Sequence, residues 1–222
     1  MIPFLIVYSV IYLGVLVAYF FSETSGNHKR RSINKIVLAS MFLIPCIVGY
    51  IMNFNSLDYS LILLIGLVLC FIGDVLLLFS FTKGGISFMI GNILISAYLV
   101  IHILQNNVPH IYPIVAVILF LIAGSTFITL ATKKVINLRN MFVPISFYIL
   151  SVTLHGLLGL SLLVYYHNIH YILFSVGLAL YMVSDYFLMT YKFKYPSKKW
   201  VLRCNSGTYF VGMLLVALSY FI

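Results

Sequence analysis

Gly66-Leu67-Val68-Leu69-Cys70-Phe71-Ile72-Gly73-Asp74-Val75-Leu76-Leu77-Leu78 is a run of apolar side chains broken by one carboxylate. A second run, Gly177-Leu178-Ala179-Leu180-Tyr181-Met182-Val183-Ser184-Asp185-Tyr186-Phe187-Leu188, repeats the pattern around Asp185. Both read as membrane helices, and a carboxylate inside such a helix costs roughly 2.5–3.5 kcal/mol on insertion scales. The chain has only 4 acidic residues, and the other two, Glu23 and Asp58, are expected in short polar connections. No Lys or Arg is expected mid-membrane to neutralise either aspartate. Two costly residues in look-alike segments need a reason, and the rest of the chain is searched for one.

With 63% hydrophobic and 8% charged residues and a mean hydropathy of +1.13, the chain is placed among polytopic, all-α membrane proteins. Stretches able to cross a ~30 Å hydrocarbon core need about 20 residues. Candidates fall at 2–21, 35–53, 60–81, 86–105, 111–131, 140–165, 170–191 and 203–222, which makes 1–222 a single eight-helix transmembrane domain. The first run has no basic n-region and is expected to be retained as a span. Cys46 and Cys70 lie in apolar runs and Cys204 near a basic loop, without disulfide or zinc spacing. His155 is expected as a core residue, and His102, His110, His167 and His170 have no metal-like spacing.

The net charge of +9 could suggest nucleic acid, but its distribution excludes that partner. The connections at 54–59, 106–110 and 166–169 have no Lys or Arg. Those at 22–34, 82–85, 132–139 and 192–202, with the helix ends they abut, hold all 13. The positive-inside rule makes that side cytoplasmic and puts both termini on the other side. The protein is expected to be integral and multi-pass, in the plasma membrane if bacterial. Asp74 lies nine residues before Lys83, and Asp185 nine before Lys194. At 1.5 Å per residue both should sit roughly 10–13 Å inside the cytoplasmic boundary.

A shift of 111 residues superimposes Gly66-Leu67 on Gly177-Leu178, Leu69 on Leu180, Asp74 on Asp185, Leu77 on Leu188 and Lys83 on Lys194. Two parallel four-helix repeats, 1–111 and 112–222, would relate the aspartates by a pseudo-twofold axis along the membrane normal. Asn92, Ser40, Ser146, Tyr148, Thr208 and Tyr209 fall at comparable depth. Tyr181 lies one helical turn before Asp185. The small residues Gly73 and Ser184, just before the aspartates, let neighbouring helices approach.

Two carboxyls close together in low dielectric do not both ionise readily. Such a pair supplies a general acid and a general base in one site, which suits hydrolysis through an oxocarbenium-like cation. A bridged divalent cation is the weaker alternative, because few further charged oxygens are at hand. Neither a Gly-x-Ser-x-Gly elbow, a nucleotide loop nor a His-Glu-x-x-His motif is present. The rival from another class is a proton-coupled transporter of lipids or small molecules; a small membrane assembly protein is a third option.

Gly73-Asp74-Val75-Leu76-Leu77 and Ser184-Asp185-Tyr186-Phe187-Leu188-Met189-Thr190-Tyr191-Lys192-Phe193 resemble the two aspartate motifs of the YhhN-like family, and Lys35, opening helix two, completes the likeness. The family includes the lysoplasmalogenases, eight-helix membrane enzymes; no cofactor is expected here. The resemblance implies cleavage of the vinyl ether bond of a lysoplasmalogen-type lysophospholipid, giving a fatty aldehyde and a glycerophospho-alcohol, with Asp74 and Asp185 as the catalytic pair. By depth and register, the expected substrate site gathers Asn92, Tyr148, Tyr181 and Ser184 around the pair, with Lys35 and Lys192 near the basic loops as phosphate contacts. The chain departs from the pattern at Asn92, where the family often has His, at Ile36 in place of Pro, and at Gly212 in place of a Gln.

Overall fold

The structure is a computed structural model that describes residues 2–25, 27–52, 60–133, 135–136, 138 and 141–221. Asp58, Lys134 and Arg139 lie outside the described residues. The described chain folds into α1 (Ile2–Thr24), α2 (His28–Met52), α3 (Ser60–Leu76), α4 (Phe81–Gln105), α5 (Ile111–Thr132), α6 (Phe142–Tyr165), α7 (Ile169–Phe193) and α8 (Lys199–Ser219). Seven are long and apolar enough to cross a membrane, and α3 is the shorter exception at 17 residues.

Six helices close a ring. Around it α2 packs on α3, α3 on α4, α4 on α6, α6 on α7, α7 on α8, and α8 back on α2. Helix α1 sits outside against α2 and α8, and α5 sits outside against α6. The outer position of these two follows from their composition, apolar all round, which lipid tolerates as well as protein does. Only 22% of the best spanning window is buried in each, against 56% in α4 and 61% in α6. In the ring, α3 and α7 stand opposite each other, so the two aspartate helices face across its interior.

Two glycine contacts bring the tightest helix pairs together. A Cβ on Gly91 of α4 would come within 2.8 Å of the Gly66 carbonyl oxygen of α3. A Cβ on Gly212 of α8 would come within 2.6 Å of the Gly177 oxygen of α7, and one on Gly177 equally close to Gly212. Backbones this near admit no side chain between them, which is how small residues drive membrane helix association. Gly212 therefore stands where a longer side chain would not fit.

Several helix boundaries differ from the sequence-based expectation, including starts at Phe81 rather than 86 for α4 and at Lys199 rather than 203 for α8, and those of α3, α2 and α1 matter most to the site. Helix α3 ends at Leu76, not at 81. Its last residues tighten through Leu78 N to Val75 O and Phe79 N to Leu76 O, and extended Ser80 then caps α4 by accepting from Lys83 N at 3.4 Å. Lys83 therefore belongs to the first turn of α4. Asp74 is two residues from the end of its helix, whereas α7 continues eight residues past Asp185. Reckoning both depths from Lys83 and Lys194 thus fails. The shortfall of α3 is about 9 Å of helix, and it leaves the ring open at its basic end. Helix α2 starts at His28, not at 35, because His28-Lys29-Arg30-Arg31 is helix-compatible and caps on Asn27, whose side chain accepts from Arg30 N at 3.0 Å. Lys35 is thereby carried two turns into the helix. Helix α1 likewise runs on through Ser22 and Glu23.

Beyond the open end, the ring interior is filled. Leu67, Ile95, Ile149, Leu178, Tyr181 and Met213 have no exposure at all.

Candidate active site

A cavity of ≈ 370 Å³ occupies the basic end of the ring. Its wall takes Tyr19 and Glu23 from α1, Arg31 and Lys35 from α2, Asp74 from α3, the turn Leu77–Ser80, Phe88 from α4, Asp185 and Lys192 from α7, and Asn205, Ser206 and Tyr209 from α8. Both aspartates are on this one wall, and both are almost wholly buried, at 2% and 3% exposure.

Their surroundings differ. Lys35 Nζ lies 3.1 Å from Asp74 Oδ1, and Tyr209 OH donates to Asp74 Oδ2 at 2.6 Å. Both oxygens are engaged, one by a full positive charge. Asp185 Oδ2 accepts from Tyr148 OH at 2.6 Å, and among the described residues no cationic nitrogen lies within ion-pair distance of it. The expectation that neither aspartate meets a Lys or Arg is therefore corrected for Asp74. Lys35 reaches it because α2 begins nearly two turns earlier than its apolar run.

The aromatic floor holds this geometry. Tyr209 packs on Tyr181 at 5.3 Å between ring centroids and on Phe88 at 6.0 Å, while Phe88 meets Tyr181 at 6.3 Å. Below it Tyr181 OH donates to Asn92 Oδ1 at 2.8 Å and lies 3.5 Å from Cys70 Sγ. His155 stacks on the same tyrosine at 4.9 Å. Asn92 and Tyr181 thus form a buried support beneath the cavity and are not part of its wall. Ser184 is also turned away: its hydroxyl donates to Tyr181 O at 2.7 Å, and its carbonyl accepts from Asn205 Nδ2 at 2.9 Å. That second bond ties α8 to α7 beside Asp185. Lys192 stands at the rim, its ammonium 5.1 Å from the centroid of Phe81, within cation–π range.

Several wall residues lie outside the expected site, Tyr209, Glu23, Arg31 and Asn205 among them. Tyr209 was placed at the right depth without a partner. Glu23 is in α1 and not in a connection: Oε1 accepts from Ser206 Oγ at 2.7 Å, and Oε2 is buried without a hydrogen-bond partner among the described residues. Arg31 faces the same mouth beside Tyr19 and Glu23, and its Nε is buried without a hydrogen-bond partner among the described residues. Asn205 completes the set. The usable signal was helical continuity, since neither Ser22-Glu23-Thr24 nor Lys199-Trp200-Val201-Leu202 contains a residue that stops a helix.

A second space, ≈ 250 Å³, adjoins the first. Its lining is apolar: Gly85, Ile86, Met89 and Ile93 of α4, Pro144, Ile145, Phe147 and Tyr148 of α6, and Met189 of α7. Leu77, Phe81, Phe88 and Leu188 belong to both walls. Tyr148 lines the groove with its ring while its hydroxyl holds Asp185.

No curated protein and no solved structure matches this chain. A family model does: that of the YhhN family matches residues 35–220, a stretch that begins at the lysine paired with Asp74 and includes both aspartates. The chain is a member of the YhhN family.

Proposed function

We propose that the protein hydrolyses the vinyl ether bond of lysoplasmalogen-type lysophospholipids, with Asp185 as general acid and Asp74 as general base. The observation that carries this is the unequal pair on one cavity wall: a carboxylate neutralised by Lys35 opposite a carboxyl group without a cation. Asp185, held through Oδ2 by Tyr148, keeps its proton on Oδ1 and delivers it to the β-carbon of the vinyl ether. The electron pair of the double bond forms the new C–H bond, and the ether oxygen shares the resulting positive charge as an oxocarbenium ion. Water adds to that carbon and gives a proton to Asp74. The hemiacetal then returns its hydroxyl proton to Asp185 while Asp74 protonates the departing glycerol oxygen. Aldehyde and alcohol are released, and both carboxyls are back in their starting forms. Asp74 needs Lys35 as a counter-charge, since a buried carboxylate without one is costly.

Arg31, Lys35 and Lys192 are the candidate phosphate contacts, with Arg31 suited to a bidentate grip. Glu23, the acidic group of the same mouth outside the aspartate pair, suits the ammonium of an ethanolamine or choline headgroup. The basic end is assigned to the cytoplasm by the positive-inside rule. The halves 1–111 and 112–222 are read as parallel repeats. The ring supports this, because exchanging α1–α4 for α5–α8 leaves its order unchanged. A transport route would have to displace the filled interior around Tyr181, Ile95 and Met213, which favours hydrolysis over transport.

The test is aldehyde release from lysoplasmenyl lipid by purified protein in detergent. Asp74→Asn and Asp185→Asn should each abolish release while the protein stays folded. Full activity in either variant would end the acid–base assignment.

A further inference from the structure

We infer that the apolar groove between α4 and α6 is the seat of a single hydrocarbon chain, which enters sideways from the bilayer while its phosphate head occupies the basic cavity. The occupant follows from three observations. The groove and the cavity share Leu77, Phe81, Phe88 and Leu188, so the two spaces lie directly against one another and a molecule that parts these side chains spans both. Along that path the lining changes from Arg31, Lys35 and Lys192 to methionines, isoleucines and phenylalanines, the polarity order of a lysophospholipid from head to tail. The groove's outer lip is exposed on the lipid-facing surface, with Phe147 at 63% and Ile86 at 48% exposure. A tail already in the bilayer can therefore slide in between α4 and α6 without crossing water.

Tyr148 marks the place where head and tail meet. Its ring is groove lining, and its hydroxyl holds Asp185. A chain seated in the groove brings the first atoms beyond its apolar part to that carboxyl. Gly85 offers a direct probe of the space. It lines the groove, and an added Cβ would meet nothing within 4 Å. A side chain there fills the groove without disturbing helix packing, and the change from glycine favours the helix.

The seat is inferred around the proposed site but does not depend on bond cleavage, and the test uses a ligand that cannot be cleaved. The protein in lipid nanodiscs is irradiated with a saturated alkyl-ether lysophosphoethanolamine carrying a diazirine near the end of its chain. Labelled peptides are then located by mass spectrometry. Labelling should concentrate on residues 81–93 and 141–148 and be displaced by unlabelled lysophosphoethanolamine, but not by a fatty alcohol of equal chain length. Gly85→Leu should cut it roughly tenfold, the effect of about 1.4 kcal/mol. Gly14→Leu, the same change in open space on α1, should leave it unaltered. Ile86→Trp is the second groove-filling variant and should behave like Gly85→Leu. Labelling elsewhere, displacement by the alcohol as readily as by the phospholipid, or indifference to both groove variants would each overturn the inference. If labelling follows the expected pattern while aldehyde release fails, the hydrolase proposal falls and the chain seat stands.

Discussion

Lys35→Met tests how the charge of Asp74 is tolerated. The pair is nearly dry: Asp74 is 2% exposed, and Lys35 Nζ lies 3.1 Å from its oxygen. Removing one partner of a buried ion pair leaves an uncompensated charge and costs about 3–5 kcal/mol. Tyr209 still donates to the other oxygen, so the lower half of that range is expected. Methionine keeps most of the side-chain length, which limits the loss of packing. Asp74→Asn in the Lys35→Met background removes the stranded charge and keeps the shape. The double variant should recover to within about 1 kcal/mol of the parent, giving a coupling energy of about 2 kcal/mol or more between the two sites. The assay is reversible unfolding in mixed micelles of graded denaturing detergent, followed by tyrosine fluorescence and paired with aldehyde release. The double variant should be folded and inactive. A Lys35→Met protein as stable as the parent, or a double variant whose losses simply add, would refute the dependence of Asp74 on Lys35.

Tyr209→Phe removes a hydrogen bond to the charged Asp74, worth about 1.5–3 kcal/mol, and Tyr148→Phe one to the neutral Asp185 carboxyl, worth about 0.5–1.5 kcal/mol; turnover should fall roughly ten- to a hundredfold in the first and up to about tenfold in the second with folding retained, read from kcat and a thermal melt. Gly177→Ala and Gly212→Ala should destabilise by about 1–3 kcal/mol in the same unfolding assay, because the added methyl meets backbone oxygen at 2.6 Å. Gly14→Ala, with nothing nearby, should stabilise by about 0.5–1 kcal/mol. Lys192→Gln should raise KM with little change in kcat, as expected of a contact made equally in ground and transition states. Glu23→Gln should lower kcat/KM for ethanolamine-headed substrate and leave a substrate ending in free phosphate unchanged; equal loss on both would remove Glu23 from headgroup recognition.

Much of this architecture was legible because membrane physics writes in long, simple patterns. Eight apolar runs, the segregation of basic residues and the cost of a buried carboxylate pointed to the helices, and Asp74 and Asp185 stood out on composition alone. What escaped was local. Helices α1 and α2 extend through charged residues, since a helix needs backbone compatibility, not hydrophobicity; apolar counting therefore misplaced Glu23 and missed the pairing of Lys35. The early end of α3 has no Gly or Pro to announce it, as Leu76-Leu77-Leu78 reads as uninterrupted span and the turn is imposed by packing against α4. Asn92, Tyr181 and Ser184 were chosen by depth and register. Which way each hydroxyl or amide turns depends on its neighbour across the ring, as Tyr181 on Asn92 and Ser184 on its own helix illustrate.

If the protein cleaves a lysophospholipid as proposed, the shared wall of Leu77, Phe81, Phe88 and Leu188 bears on what happens after the bond breaks. Cleavage turns one amphiphile into two molecules of opposite solubility, and the two compartments behind that wall lead to different phases. The aldehyde, now all tail, is left facing the bilayer through the gap between α4 and α6. The glycerophosphodiester, now all head, is left facing water through the mouth ringed by Arg31 and Lys192. Neither product blocks the other's exit, and each is diluted into a phase the other does not enter. On the proposed reaction, partitioning of the two products into separate phases disfavours their recombination.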